Sequence, residues 1–284
     1  MPSPMVINTN IASLNSQKYL SRTNESLQTS MERLSSGMRV NSAKDDAAGL
    51  AIADRMTSQI RGMTVAMRNA NDGISMAQTA EAGMGTLTDT LQRMRDLAIQ
   101  AANRAAVSNS DRQKLQTEFA QLGDELQRII TNTEFNGKKI LNGSLQGANF
   151  QIGANTASDN QISVTVSNLL SMSGINELFG TNRSIGSDAT SEFVRSAIDA
   201  IDTAIEKIDI FRSNLGAIQN RFTTTIANLQ SSIENQSAAR SRIMDADFAS
   251  ETSNLTRSQI LQQAGTAMLA QANQVSQGVL KLLQ

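Results

Sequence analysis

The chain has 284 residues, 39% of them hydrophobic, enough for a core in one or two domains and too many for wholesale disorder. A formal charge of -1, from 25 basic and 26 acidic residues scattered along the chain, excludes the basic footprint that nucleic-acid binding requires. Cys and His are absent, which excludes disulfides, thiolate metal sites, the commonest general base and the commonest zinc ligand; with aromatics at 3%, Ala, Leu, Ile and Met must do the packing.

The first twenty residues, MPSPMVINTNIASLNSQKYL, lack the basic and apolar regions of a secretory signal peptide. No apolar run approaches the roughly 18 residues of a membrane span, so no membrane insertion is expected. By these rules alone the protein is cytosolic. Pro2 and Pro4 are the only prolines, and everything after them is free to form long helices. Leu20, Leu27 and Leu34 recur at sevens with Met31 between them, predicting a first helix that ends near Gly37. Ser42 reads as the cap of the next helix, with Asp45 three residues on and Asp46 in the first turn.

That second helix carries Ile60, Met63, Met67, Ala70, Ile74 and Ala77, and then Ala80, Met84, Leu87, Leu91, Met94 and Ala98. The two spacings of three around Ala77 resemble a coiled-coil stammer. From about Ala43 to Arg104, at ~1.5 Å per residue, it is a rod of roughly 90 Å. A shorter helix follows from a Ser110 cap, with Leu115, Phe119, Leu122, Leu126 and Ile129 on one side. Two Asn-Gly pairs in EFNGKKILNG, the alternating NFQIG and QISVTVSNL, and frequent Gly from Gly137 to Gly186 then predict β-hairpins at about 135–185. Helix returns near Ser191, where Ile201, Ile208, Leu215, Phe222 and Leu229 hold a heptad interval, supported by Ile198, Ile205, Phe211 and Ile218. After SAARSRIMDADFASE comes a terminal helix with Leu261, Met268, Val275 and Leu282 at sevens and Ala264, Ala272 and Val279 beside them.

The fold class is therefore mainly α, with long antiparallel helical rods, terminal coiled-coil helices and a small β-hairpin region. The order of elements nearly mirrors itself, so the halves can fold back with the two joints at one level. Motifs for chemistry are lacking. Gly83 and Gly85 lie inside a helix with Thr88 where a dinucleotide fingerprint needs Gly. Asp45 with Asp46, and Asp245, Asp247 and Glu251, read as helix-start carboxylates and solvated joints rather than a cation site. Met63, Met67, Met84 and Met94 read as core rather than metal ligands, and the Asn24-Glu-Ser sequon carries no weight without a eukaryotic secretory route. No nucleophile, base and orienting group assemble, so neither enzyme activity nor a cofactor is expected.

What remains is more apolar stripe than a narrow monomer can cover. Self-association covers it, and repeated contacts that do not close build a helical filament. Leu20, Leu27, Met31, Leu34, Leu261, Met268, Val275 and Leu282 are the candidate self-assembly residues. A soluble coiled-coil adaptor is the competing reading; it predicts no concentration-dependent polymerisation.

VINTNIASLNSQ, LSSGMRVNSAKDDAAGLAIADRMTSQIRG, RNANDGISMAQTAE, LQRMRDLAIQAAN, TEFNGKKILNG, SNLGAIQNRF and the segment from ARSRIMDADFASE to the end closely resemble bacterial flagellin, over about residues 5–145 and 195–284. The resemblance implies a structural subunit that polymerises into the hollow helical filament of the bacterial flagellum for swimming motility. The alternative within the same class is the hook-filament junction protein, which is usually more divergent in these internal motifs. It further implies a terminal coiled-coil domain at 1–46 and 241–284 lining the filament channel, and a rod-like core domain at 47–240. Many flagellins carry large outer domains mid-chain; between Gly143 and Ser191 there is room only for hairpins, and a zinc protease insert is excluded by the missing histidines.

The resemblance also overrides the cytosolic assignment. It implies an extracellular location, reached through the flagellar type III export channel without a cleaved signal peptide. Implied partners are further copies of the chain, an export chaperone covering the C-terminal helix, filament cap and hook-junction proteins, and the flagellin-sensing Toll-like receptor of animals. For that receptor the matching positions are Arg93, Leu97 and Glu118.

Overall fold

The computed structural model describes residues 9–179 and 184–282, with side chains described through residue 274. Among the described residues there are six α-helices: α1 Ile11–Ser36, α2 Ala47–Ala102, α3 Asn109–Asn132, α4 Ile175–Phe179, α5 Ser191–Met244 and α6 Phe248–Leu282. Four short strands, β1 Glu134–Phe135, β2 Lys138–Lys139, β3 Ala148–Gln151 and β4 Gln161–Val164, lie between α3 and α4 and form two antiparallel pairs, β1 with β2 and β3 with β4.

Helix boundaries follow local chemistry. Asn10 caps α1 by accepting the Ser13 N–H at 3.1 Å, and Gly37, at φ +71°, closes it in the left-handed conformation a glycine adopts without a Cβ penalty. At α2 the expected start is displaced. The Asp45 carboxylate closes the preceding turn, receiving the Asn41 N–H, Ser42 N–H and Ser42 hydroxyl at 3.1, 2.9 and 3.0 Å. Those bonds, led by the Ser42 backbone N–H, hold its pKa below the ordinary value. The cap is Asp46, which accepts the Gly49 N–H at 2.8 Å, so α2 begins at Ala47 rather than Ala43. Likewise Ser108, not Ser110, caps α3: its Oγ accepts the Asp111 N–H and donates to the Asp111 carboxylate at 2.7 Å.

The chain divides into two compact units, Gln59–Ile233 and a terminal unit made of the residues up to Ser58 together with those from Glu234 onward. In the first, the heptads of α5 face inward as their spacing predicts. Ile201, Ile208, Leu215 and Phe222 bury against Met84, Leu87, Leu91 and Met94 of α2 and Phe119, Leu126 and Ile130 of α3. The helix α2 passes unbroken through the double spacing at Ala77, because Met76, Ala77 and Ala80 all turn inward there.

Asn136-Gly137 forms the tight turn between β1 and β2, both residues having positive φ. Asn142-Gly143 makes no hairpin; the Asn142 side chain accepts the Ser144 N–H and the chain runs on. The longer pair, β3 with β4, is held on α2 by Asn69, which donates to the Gln151 carbonyl at 3.0 Å. Beside it the Phe150 and Phe222 rings meet edge to face, centroids 5.6 Å apart, with Phe222 seated over Gly73 of α2. Residues 185–189 lie along α3: Gln116 accepts the Ile185 N–H, buried Arg112 donates to the Gly186 and Ala189 carbonyls, and Arg104 donates to the latter as well.

In the terminal unit the two joints meet. Met38 pairs with Asp245 in an antiparallel bridge, the Arg39 N–H donates to the Met244 carbonyl at 2.6 Å, and the Ala246 N–H donates to the Gly37 carbonyl at 2.9 Å. The Arg39 guanidinium adds a bond to the Ile243 carbonyl at 2.7 Å, and Val40 beside it is buried.

Candidate self-assembly surface

The helices α1 and α6 run antiparallel, as three ties along their length require. Asn10 donates to the Ala272 carbonyl at 3.0 Å, Gln262 donates to the Asn24 side-chain oxygen at 2.9 Å, and Arg33 faces Glu251 at 3.9 Å. On α1 the face turned to its partner carries Ser13, Leu20, Leu27 and Leu34 at sevens, Ser13 buried and the three leucines half-buried. On α6 the corresponding line is Glu251, Ser258, Gly265 and Ala272, also at sevens, with Glu251 and Ser258 buried. Leucine knobs of one helix therefore meet small or polar residues of the other, and the Leu20 Cδ1 lies 3.3 Å from where a Cβ on Gly265 would stand.

The apolar heptad of α6 runs three residues away from that line, about 60° around the helix by a 3.6-residue period. It faces outward. Leu261 is 51% exposed and Met268 is 62% exposed, with Ile260 next to Leu261 at 60%. The other two predicted members of the heptad, Val275 and Leu282, have side chains outside the described residues. On α1, Ile11, Leu14, Tyr19 and Met31 are also at least half exposed, so the pair turns large apolar side chains outward while half-buried leucines meet small and polar residues within it. That inverts the ordinary arrangement, in which large apolar side chains are withdrawn from water. Two sequence-predicted groups separate here: Leu20, Leu27 and Leu34 serve the contact within the chain, whereas Met31, Leu261 and Met268 remain available for contact with something else.

The heptad of Glu251, Ser258, Gly265 and Ala272 escaped sequence reasoning, although its spacing was readable, because a line of small and polar residues carries no hydrophobic signal. Beside it runs an open groove lined by Tyr19, Arg22, Arg33, Glu251, Arg257 and Leu261, in which Arg257 donates to the Asn254 side chain.

The three residues matched to a receptor contact fall in Gln59–Ile233 and do not share one exposed face. Arg93 is exposed and Glu118 half-buried, and the two are joined, Nε and Nη2 of the guanidinium donating to one carboxylate oxygen at 2.9 and 2.7 Å. Leu97 is 2% exposed, packed with Met94, Ala98 and Ala101 on the inward side of α2, and is corrected from a contact residue to a core residue. A position four residues from an exposed one lies about 40° around the helix, enough to carry it into the core at the edge of the buried face.

Chemistry of other kinds has no matching geometry among the described residues. No group of three or more Asp or Glu side chains is placed to hold a metal ion, and no helix is long and apolar enough to cross a membrane. Gly83 and Gly85 sit within α2, and Met63, Met84 and Met94 are buried in apolar clusters, with Met67 packed at the edge of one of them.

Comparison with known proteins adds the following. The model of the bacterial flagellin N-terminal helical region matches residues 7–146, and that of the C-terminal helical region matches residues 198–283. The flagellin of Bacillus subtilis is 45% identical over an alignment of 310 residues that covers 99% of this chain and all of that one. Flagellin A of Vibrio cholerae is 39% identical, but its alignment extends to 376 residues while covering 98% of this chain and 99% of its own. A solved structure of a flagellar hook-associated protein from Vibrio parahaemolyticus, at 12% identity, covers 71% of this chain and all of its own with a TM-score of 0.59, a likeness of fold.

Proposed function

The chain belongs to the bacterial flagellin family and is a structural subunit of the extracellular flagellar filament, and from that premise we propose that the outward heptad of α6 is the surface on which subunits polymerise. One observation carries the reading: Leu261 and Met268 are large apolar side chains left more than half exposed on a helix whose contact with α1 uses a different line of residues. In this reading Met31, Leu261, Met268, Val275 and Leu282 make the contacts between copies, while Leu20, Leu27 and Leu34 hold α1 against α6 so that the surface has a fixed shape. Residues 1–46 and 241–284 line the channel of a hollow filament, and 47–240 form the rod-like core around them.

Before export an apolar heptad needs cover, which is the task of a cytoplasmic chaperone on the C-terminal helix; the cap and hook-junction proteins engage subunits at the two ends of the polymer. Export in this reading runs through the flagellar type III channel without a cleaved signal peptide, and a chain without cysteine brings no disulfide to that passage. An animal Toll-like receptor engages Arg93 and Glu118, with Leu97 supporting the helix from beneath. The protein has no catalytic or cofactor role in this reading.

Electron microscopy of purified protein after salt-induced assembly, comparing wild type with Met268→Glu, tests the central claim. A charge buried there without a partner costs several kcal/mol, about 3 or more. The variant is expected to remain folded in Gln59–Ile233 and form no filaments. Normal filaments from it would remove Met268 from the contact.

A further inference from the structure

The methionines of this chain are partitioned by exposure. Within Gln59–Ile233, Met63, Met76, Met84 and Met94 are all less than 10% exposed and Met67 and Met172 half-buried, whereas in the terminal unit Met56 and Met244 are half-buried and Met268 is 62%, Met31 50% and Met38 37% exposed. With no cysteine anywhere, thioethers are the only sulfur an oxidant can find. Resting on the polymerisation reading above, we propose that Met268 is a reversible oxidation site in the unassembled subunit, taking a two-electron oxygen donor of the peroxide or hypochlorite class, and that its oxidation withholds the subunit from the polymer.

The chemistry balances with the oxidant named. A sulfur lone pair of Met268 attacks one oxygen of hydrogen peroxide, the O–O bond breaks, and an S–O bond forms. The thioether loses two electrons to become the sulfoxide, and the peroxide, after proton transfer, leaves as water. Repair by an enzyme of the methionine sulfoxide reductase class returns the thioether, taking two electrons from a dithiol and releasing water. The sulfoxide converts a flexible apolar side chain into a strongly polar, hydrogen-bond-accepting one at the same position in the heptad. Placed against a neighbouring copy, that oxygen loses water without a donor provided for it. Once a subunit is assembled the neighbouring copies cover the sulfur, so oxidant sorts subunits before assembly and leaves the finished polymer intact.

The test treats full-length monomer and preformed filaments with dilute hydrogen peroxide and locates the added oxygen by peptide mass spectrometry. In monomer, Met268 is expected to gain oxygen ahead of Met84 and Met94; in filaments it is expected to be spared. The critical concentration for assembly of the oxidised monomer is expected to rise about tenfold or more. Recovery after sulfoxide reductase treatment, and insensitivity of Met268→Leu assembly to peroxide, complete the expected result; if that variant does not assemble, the reductase recovery decides. Assembly of Met268-oxidised monomer at the untreated concentration overturns the inference, as does loss of assembly that persists in peroxide-treated Met268→Leu. If Met268→Glu still abolishes filaments in either case, the contact stands and only its oxidation sensitivity is lost.

Discussion

Gly73 shows how much a single missing side chain settles. A Cβ built there would lie 2.6 Å from Cζ of Phe222, a fully buried ring that also packs edge to face with Phe150. Gly73→Ala is expected to lower the thermal midpoint of Gln59–Ile233: overpacking costs about 1–3 kcal/mol, against a helix-propensity gain of about 1. Circular dichroism melts check the sign, and Gly85→Ala, with nothing within 4 Å of its Cβ position, is the control expected to be neutral or stabilising. Asp111 has its pKa lowered first by the Ser108 hydroxyl, then by the Lys114 hydrogen bond and charge. A carboxylate with a depressed folded pKa stabilises the native state above its unfolded value and loses that contribution as pH falls through the folded one. Asp111→Asn is therefore expected to melt below wild type at neutral pH, with the gap closing on acidification past the ordinary carboxylate value of 3.8. A gap independent of pH would mean that the Asp111 charge plays no part.

At the scale of elements, the contrast is between helices with a shared apolar core and a pair without one. The α1–α6 contact buries serines, a glutamate and half-exposed leucines, too little apolar area to offset the ordering of two helices with any margin. In dilute monomer, hydrogen exchange is expected to be fast for residues 11–36 and 248–274 and slow for the buried stretch of α2 from Met84 to Leu97, with the terminal helices becoming protected on assembly. Equal protection of both in monomer would contradict this. The same contrast marks what the sequence made legible. The α5 heptads and the Asn136-Gly137 hairpin were readable because period and turn chemistry are local. The start of α2 was not, since Ser42-x-x-Asp45 has the form of a capping box and only the fold reveals that Asp45 closes a turn while Asp46 caps. Nor did periodicity reveal which partner each stripe faces: Leu27 and Leu261 belong to equally regular heptads, and one turns inward while the other turns out.

For the whole molecule, assembly and the proposed recognition by another organism make separable demands. Arg93 and Glu118 hold each other on the surface of Gln59–Ile233, apart in sequence from the heptad of α6. Arg93→Ala and Glu118→Ala are each expected to weaken receptor binding by monomer at least about tenfold, as hot-spot truncations do, without changing the melt of that unit by more than about 1 kcal/mol. Leu97→Ala should instead cost about 2–5 kcal/mol of stability through the cavity it leaves. Surface plasmon resonance alongside thermal melts distinguishes the two behaviours; unchanged affinity in both charge variants would remove the pair from the contact.

The joint between Met38 and Asp245 has a consequence in time. The ties that hold the two halves of the terminal unit together, such as Asn10 with Ala272 and Arg39 with Met244, link segments separated by the whole of Gln59–Ile233. A ribosome delivers α1 before the whole of Gln59–Ile233 and α6 after it, so throughout the synthesis of that unit α1 has no partner to pair with. Contacts this distant in sequence are the slowest to form, and they cannot begin before α6 has left the tunnel. The order of translation itself thus keeps α1 unpaired until α6 has been made.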